Sequence, residues 1–300
     1  MPCNNILGLD PPVFNAGGTC KEWKEFMELL ETRIPVVEVG SITAGPRQGN
    51  PEPRIHIQNG DSLNSVGLAN EGIAWYRKEL PGMVTMANRQ GKGVLLNIAA
   101  EFSQDYEDLA ALGAECQVDG IVVNMSCPNV EQGNVFCFHP ESVQDVLTRV
   151  KRVAPGLLII PKISPCTDLQ VLTQLAKLFI DQEVAAVAAC NTIPGCYDTD
   201  SQGNPVIGTG TAGGAGEQLF RFALGQVLYL RQLLPDEIGI IGIGGINSGL
   251  RAWQFLASGA NAVAIHTAAR SPRPPYPLDP TAFNRIIGEL EAIQSEKGEA

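Results

Sequence analysis

One short segment concentrates residues that could perform proton-transfer chemistry. The stretch 123–133, VNMSCPNVEQG, places Asn124, Cys127 and Asn129 around a predicted strand end and a proline turn. A thiol on such a loop can accept a proton from a carbon acid if it lies within hydrogen-bond reach. Hydrolytic Cys–His chemistry needs a nearby histidine, and none of the three histidines is paired with Cys127 in the sequence. A turn cysteine without a chemical role is the alternative.

A single lysine interrupts an apolar segment, IIPKIS. Lys162 is predicted to lie at the end of a buried strand, where a charge costs free energy unless a negative group meets it. The functional interpretation is a fixed cation facing an electron-rich ring or a carboxylate. The alternative is a strand-end lysine whose ammonium group extends to solvent.

Four asparagines fall at predicted strand ends or in a long connection: Asn64, Asn124, Asn129 and Asn191. Each uncharged amide offers one acceptor and two donors, which suits the alternating N–H and C=O edge of a pyrimidine or cyclic imide. Ordinary turn asparagines are the alternative.

Two glycine clusters predict a close approach of backbone to a ligand. In GIGG, 242–245, bare N–H groups and the start of a helix after Ser248 could bind a phosphate, with the Thr267 hydroxyl nearby. A tight turn without a ligand is the alternative. The second cluster, GTGTAGGAG at 208–216, predicts a loop that covers a ligand.

The elements that must position these residues alternate along the chain. Segments rich in Val, Ile and Ala predict eight strands, at 12–16 (short and ambiguous), 35–43, 94–99, 120–125, 157–163, 184–191, 239–246 and 260–267. Helical periodicity predicts helices at 20–32, 104–112, 140–153, 168–181, 218–234, 248–258 and 281–297. Continuous apolar strands indicate burial on both faces, hence parallel strands covered by helices.

Eight such units in one chain predict an α/β fold, a (β/α)8 TIM barrel, with an open doubly wound sheet as the alternative. Polar or glycine residues end one strand after another, which favours the barrel because all those ends meet on one face. Residues 1–300 are expected to form one domain. The segment 44–70 is too long for a simple connection and is expected to fold as a small excursion over the carboxyl-end face.

Composition excludes several classes of function. The 300 residues have a net charge of -11 and no run of Lys or Arg, which argues against a nucleic-acid or anionic-membrane partner. No stretch approaches the roughly 20 apolar residues of a membrane helix, and no secretory signal precedes the first strand, so a cytoplasmic protein is expected. The eight cysteines include no Cys-x-x-Cys pair, so no metal site is expected.

In its motifs the sequence resembles the dihydroorotate dehydrogenase family of flavin enzymes. The shared segments follow the family's order along nearly the whole chain: FNAGGT, GSIT, GNPEPR, SLNSVGLAN, VNMSCPN, PKIS, CNT, GIGGI and HTA. VNMSCPN and GNPEPR are specific, whereas GIGGI occurs in many barrels. The resemblance implies a barrel that holds FMN and oxidises the small molecule dihydroorotate to orotate in pyrimidine biosynthesis. The cysteine in SCPN resembles the soluble class 1 form of the family, since the membrane-associated class has serine there.

The resemblance also implies roles for single residues. Cys127 would take the C5 proton while a hydride leaves C6, and Lys162 would stabilise the negative charge of the reduced flavin. The implied FMN contacts are Ala16, Gly17, Ser41, Asn97, Asn124, Lys162, Gly216, Gly244, Gly245, His266 and Thr267. The implied substrate contacts are Lys21, Asn64, Gly67, Leu68, Asn124, Asn129, Asn191 and Thr192.

Two positions depart from the family pattern. Class 1 members have a lysine just before the serine of the second strand, where this chain has Gly40, and Lys21 could replace it with a shift of one residue. His266 stands where a small residue is usual. The missing lysine motivates a second hypothesis, an FMN-dependent reductase of a different cyclic amide or activated C=C bond. A phosphate-binding lyase, isomerase or non-catalytic barrel is a third.

The electron acceptor is not determined by these residues. Fumarate, a quinone, or NAD through an iron–sulfur partner subunit are all compatible with the sequence. The resemblance also implies a homodimer.

Overall fold

The computed structural model describes residues 7–126, 128–129 and 134–298, with only the backbone described at 128–129 and 134–136. Its strands are β1 (Val13–Asn15), β2 (Val36–Ile42), β3 (Ile55–Gln58), β4 (Asp61–Asn64), β5 (Gly93–Ile98), β6 (Gly120–Asn124), β7 (Pro128–Asn129), β8 (Asn134–Val135), β9 (Leu158–Ile163), β10 (Ala186–Ala189), β11 (Ile193–Cys196), β12 (Ala212–Gly216), β13 (Gly239–Ile243) and β14 (Ala262–Ile265). Its α-helices are α1 (Trp23–Leu30), α2 (Ile73–Arg89), α3 (Ser103–Glu115), α4 (Pro140–Val153), α5 (Leu169–Asp181), α6 (Glu217–Leu233), α7 (Gly249–Ala257) and α8 (Thr281–Lys297). Short 3-10 helices span Phe136–Phe138 and Thr267–Ala269.

Eight parallel strands form the central sheet, in the order β1, β14, β13, β10, β9, β6, β5, β2. The seam between β1 and β2 is closed by the side chain of Asn15. Its Nδ2 donates to the Glu38 carbonyl oxygen at 2.7 Å, and its Oδ1 accepts from the Glu38 N–H at 2.9 Å. The sheet therefore closes into the predicted (β/α)8 barrel rather than the open sheet.

Burial explains why these segments form strands. All seven residues of β2 and all five of β13 are buried, because helices cover the outer face and side chains fill the barrel. The helices contribute one apolar face each, as Leu172, Leu175 and Phe179 do on α5. In the described part of the chain, no helix combines the length and apolar character that spanning a membrane requires.

The predicted elements match the observed ones with ends that differ by at most three residues; β13, for example, ends at Ile243 rather than 246. Among the α-helices, α2 is the exception, since no helix is predicted over 73–89. The pair Pro81–Gly82 in its middle is typical of a turn, yet the helix continues because Leu80, Met83 and Val84 are buried against the barrel. Tertiary packing here outweighs local propensity.

Four antiparallel strands form a second sheet in the order β11, β12, β4, β3, which we call the cover sheet. The excursion expected over 44–70 supplies β3 and β4. The glycine cluster 208–216, predicted as a loop, instead forms β12 in its second half and pairs with β4. Leu63, Ile207 and Ala212 form a small apolar cluster in this region.

Candidate active site

A cavity of about 750 Å³ lies between the carboxyl ends of the barrel strands and the cover sheet. Most residues predicted for the cofactor and the substrate line it. They are Ala16, Gly17, Lys21, Ser41, Asn64, Gly67, Leu68, Asn124, Lys162, Asn191, Thr192, Gly216, Gly244, Gly245, His266 and Thr267. The barrel closure thus assembles residues from distant parts of the chain around one space.

Three predicted site residues are not seen at the cavity wall. Asn97 is fully buried beneath it and contacts Ser41, which does line the cavity. Cys127 lies outside the described residues, and only the backbone of Asn129 is described, in β7. Ser126, the neighbour of Cys127, lines the cavity, and its buried Oγ has no hydrogen-bond partner among the described residues. An unsatisfied hydroxyl at a cavity wall is suited to a ligand.

Two buried charged residues lie at the floor of the cavity. Lys162 lies one residue before the end of β9 with 6% of its surface exposed, and Glu38 lies near the middle of β2 with 2% exposed. Burial raises the pKa of Glu38, and the Lys162 charge and donation from the Asn97 amide and the Gly17 N–H oppose that rise. Lys162 therefore faces the cavity with Glu38 near it, and does not extend to bulk solvent.

A chain of side-chain hydrogen bonds crosses the floor from β2 to the end of β10. Asn97 Nδ2 donates to Glu38 Oε1 at 2.5 Å, and Ser41 Oγ donates to Asn97 Oδ1 at 2.5 Å. Asn124 Nδ2 donates to Ser41 Oγ, and Asn191 Nδ2 donates to Asn124 Oδ1, both at 3.3 Å. These contacts fix the amide orientation of the predicted ligand-binding asparagines.

The end of β13 offers backbone donors to an anion. Gly244 and Gly245 line the cavity, and within the described structure their N–H groups bond to no protein acceptor. Gly245 has a φ of +65°, which favours glycine there. The helix start after Ser248, which is expected to help, is partly occupied, because Gly249 N donates to Glu289 at 2.7 Å. The glycine turn itself is the candidate phosphate site.

Lys21 lies where the excursion returns to the barrel. Its Nζ donates to the Ala69 carbonyl oxygen at 2.6 Å, beside the predicted substrate contacts Gly67 and Leu68. Burial, reinforced by the positive charge of Arg270, lowers the pKa of Lys21 to about 8. Lys21 thus lines the cavity. The sequence alone did not determine whether it would, because Lys21 is shifted by one residue from the family pattern.

His266 is held as a neutral imidazole at the end of β14. The Thr19 hydroxyl donates its single proton to the Ala16 carbonyl oxygen at 2.5 Å. In the contact of 3.1 Å between Thr19 Oγ1 and His266 Nδ1, the histidine must therefore be the donor. Burial and the charges of Arg270, Lys162 and Lys21 hold its pKa well below the usual value. The unprotonated Nε2 can therefore act only as an acceptor.

Comparison with known proteins agrees with this geometry. The sequence profile named dihydroorotate dehydrogenase matches residues 3–293. The chain belongs to the dihydroorotate dehydrogenase family. It is 32% identical over 298 residues to the protein named dihydroorotate dehydrogenase B (NAD(+)), catalytic subunit, of Geobacter sulfurreducens, which covers 97% of this chain and 92% of that protein. The protein of the same name from Thermoanaerobacter pseudethanolicus is 34% identical over 264 residues, covering 87% of this chain and 84% of that one.

A solved dihydroorotate dehydrogenase structure has the same fold. The enzyme of Eimeria tenella, crystallised in complex with ferulenol, superposes with a TM-score of 0.77 at 20% identity, covering 96% of this chain and 82% of that one. The predicted barrel is confirmed by this likeness as well as by the strand order.

The departure of this family member at Gly40 has a structural reason. Gly40 adopts a φ of +124°, and a Cβ there would overlap the carbonyl oxygen of Asn97. No side chain can occupy this position without movement of the backbone. The lysine that class 1 members carry there is therefore incompatible with this backbone.

The residues at or beneath this cavity that were not predicted include Glu38, Arg270 and Cys190. Glu38 is embedded in VVEVG, where a carboxylate within a buried strand could have marked it. Arg270 lines the cavity and donates from Nη2 to the Gly18 carbonyl oxygen at 2.8 Å. Cys190 also lines it, but burial raises the pKa of its thiol to about 12, so it stays protonated.

Proposed function

We propose that this dihydroorotate dehydrogenase family member binds FMN and oxidises dihydroorotate to orotate in pyrimidine biosynthesis. The observation that carries the proposal is that a cation, backbone donors and uncharged amides line one cavity in a family member. The names of the relatives in Geobacter and Thermoanaerobacter support the substrate.

The residues present are compatible with FMN. The N–H groups of Gly244 and Gly245, which have no acceptor among the described residues, would bind its phosphate, since donors on a glycine turn form an anion site. Lys162 would face the pyrimidine side of its ring system. When bound, the flavin supplies a two-electron acceptor that takes the hydride from C6 of dihydroorotate.

The chain's own residues bind the substrate and move one proton. Asn64, Asn124 and Asn191 would hold the ring through its carbonyl and N–H groups, while protonated Lys21 would bind the carboxylate. Cys127 would take the C5 proton as C6 loses its hydride, which leaves the C5–C6 double bond of orotate. Lys162 would stabilise the negative charge that accumulates on the reduced cofactor.

The electrons would leave through a partner subunit. The relatives are named catalytic subunits of an NAD(+) enzyme, and such a subunit needs a companion to deliver electrons to NAD. This support favours NAD over fumarate or a quinone as the final acceptor.

Anaerobic reduction of the protein by dihydroorotate tests the proposal. We expect a yellow protein whose flavin absorbance bleaches in proportion to added dihydroorotate, with one equivalent of orotate formed. The same reaction of Cys127→Ser should be slower, with a different dependence on pH, because a hydroxyl loses its proton less readily than a thiol.

Three results would contradict parts of this proposal. A colourless protein that takes up no FMN would remove the flavin assignment. Bleaching only by other donors would support reduction of a different cyclic amide or C=C bond. Equal rates for Cys127→Ser and the wild type across the pH range would exclude Cys127 as the base.

A further inference from the structure

The carboxylate of Glu38 is a buried charge without a role in the reaction described so far. Its 2% exposure in the middle of β2 makes it costly unless nearby groups compensate it. Its hydrogen-bond partners are donors, the Gly17 N–H and Asn97 Nδ2, and Lys162 supplies the opposite charge. These donors and the positive charge favour the carboxylate form and oppose the rise in pKa that burial causes, and the hydrogen bonds hold the side chain in one place.

Closure of the barrel does not require this carboxylate. The seam between β1 and β2 uses the backbone N–H and carbonyl of Glu38, both bonded to Asn15. The carboxylate instead accepts a hydrogen bond from Asn97 of β5. It lies under Gly17, where an added Cβ would come within 2.7 Å of Glu38 Oε1. The charged group is thus directed to the cavity floor.

The hydrogen-bond chain holds the carboxylate in an acceptor role. Since a carboxylate cannot donate, Asn97 must present its Nδ2 to Glu38 and its Oδ1 to Ser41. The Ser41 proton is then used, so Ser41 can only accept from Asn124. Each bond in this sequence has one allowed direction, and Glu38 is its terminal acceptor.

Lys162 is near enough for its charge to lower the pKa of Glu38, so the two groups interact electrostatically. Lys162 lines the cavity, while Glu38 lies behind the wall in a medium where charges interact more strongly than in water. A carboxylate there offsets part of the positive potential that Lys162 would otherwise apply to a bound ring. Any group that gains negative charge beside Lys162 is therefore stabilised less than by an isolated lysine.

We propose that Glu38 is a positioning residue that, acting through Lys162, lowers the reduction potential of the bound flavin. This inference rests on the proposed function and deepens it. A lower potential makes the reduced cofactor a better electron donor, which suits an acceptor of low potential such as a nicotinamide. The hydrogen-bond chain through Asn97 and Ser41 keeps the carboxylate in position for this effect.

The midpoint potential of flavin-loaded Glu38→Gln tests the inference. Glutamine keeps the shape and an acceptor oxygen but removes the charge. We expect the ratio of reduced to oxidised flavin at a fixed potential to rise about tenfold, equivalent to about 30 mV for a two-electron couple. Asp119→Asn is the matched control, because Asp119 accepts from Val94 N at the amino end of β5 and should leave the potential unchanged.

Glu38→Asp provides a second measurement if the glutamine variant does not fold. Aspartate keeps the charge, but its shorter side chain places that charge farther from the cavity floor. The ratio of reduced to oxidised flavin at a fixed potential should therefore rise by about twofold to fivefold. The midpoint potential should be lowest in the wild type, higher in Glu38→Asp and highest in Glu38→Gln. A purely structural role of Glu38 would not produce this order.

An unchanged or lower potential in both variants would overturn the role of Glu38. This failure differs from that of the proposed function, since the wild type would still bind flavin and be reduced by dihydroorotate. A wild type that binds no flavin would overturn both.

Discussion

The floor of the cavity and the cover sheet above it are stabilised in different ways. On the floor, Glu38, Asn97 and Lys162 are nearly inaccessible, and the first two are joined by a hydrogen bond of 2.5 Å. The cover sheet has a small apolar cluster centred on Leu63 and a glycine-rich strand, β12. Buried polar groups with fixed partners hold one arrangement, whereas a small cluster opens at low cost. We therefore expect substitutions on the floor to change the chemical step more than substitutions in the cover sheet do.

Substitution on the floor should have the largest effect on the reaction. Lys162→Met keeps the length of the side chain but removes the cation, so the rate constant of flavin reduction by dihydroorotate should fall roughly 100- to 1,000-fold. Stopped-flow absorbance measures this rate. Lys177→Met, on the exposed face of α5, is the control and should reduce normally. If the rate constant of flavin reduction in Lys162→Met fell by less than tenfold, the proposed difference between floor and cover sheet would be contradicted.

Substitution where the excursion returns to the barrel should have an intermediate effect, on binding. Loss of the cation in Lys21→Met should raise the Michaelis constant for dihydroorotate about tenfold, equivalent to about 1.4 kcal/mol. The lowered pKa of Lys21, about 8, sets the pH window. The protonated form binds the carboxylate, so the wild-type affinity should be present below that pH and decrease as the pH rises through it.

A pH titration of the Michaelis constant separates this role from a general perturbation. Lys21→Met should show no change through the window in which the wild type weakens. Lys24→Met, exposed on α1, should behave like the wild type. The same pH dependence in Lys21→Met and the wild type would exclude Lys21 as the carboxylate ligand.

Substitution in the cover sheet should have the smallest effect on the chemical step. Leu63→Ala empties part of the apolar cluster, at a local cost of roughly 2 kcal/mol or more. Amide hydrogen exchange of β4 and β12 should accelerate, while flavin reduction at saturating dihydroorotate changes by less than about twofold. Leu63→Met, which conserves volume, should restore the protection. A large loss of reduction rate would show that the cover participates in charge control.

The fold and much of the cavity wall could be predicted because their determinants are local. Continuous apolar segments predict buried parallel strands, and the position of Lys162 at a strand end follows from its place in IIPKIS. Barrel closure then brings all strand ends to one face, so Gly244 and Asn191 are expected together without knowledge of any contact.

The depth of each residue could not be predicted in this way. Asn97 and Asn124 both lie near the carboxyl ends of neighbouring strands, yet Asn97 is beneath the wall and Asn124 lines it. The difference depends on strand register and on Glu38, which gives Asn97 a buried partner. The approach of Arg270 to Gly18, 252 positions away in sequence, is likewise a tertiary contact with no local pattern.

The backbone at Gly40 limits how this protein could change during evolution. Because a Cβ at Gly40 would overlap the Asn97 carbonyl, a single substitution cannot install the class 1 lysine in a viable intermediate. A lineage would first have to shift β2 relative to β5, and that shift would disturb Glu38 and Ser41. A lysine at position 40 could therefore not readily take the place of Lys21.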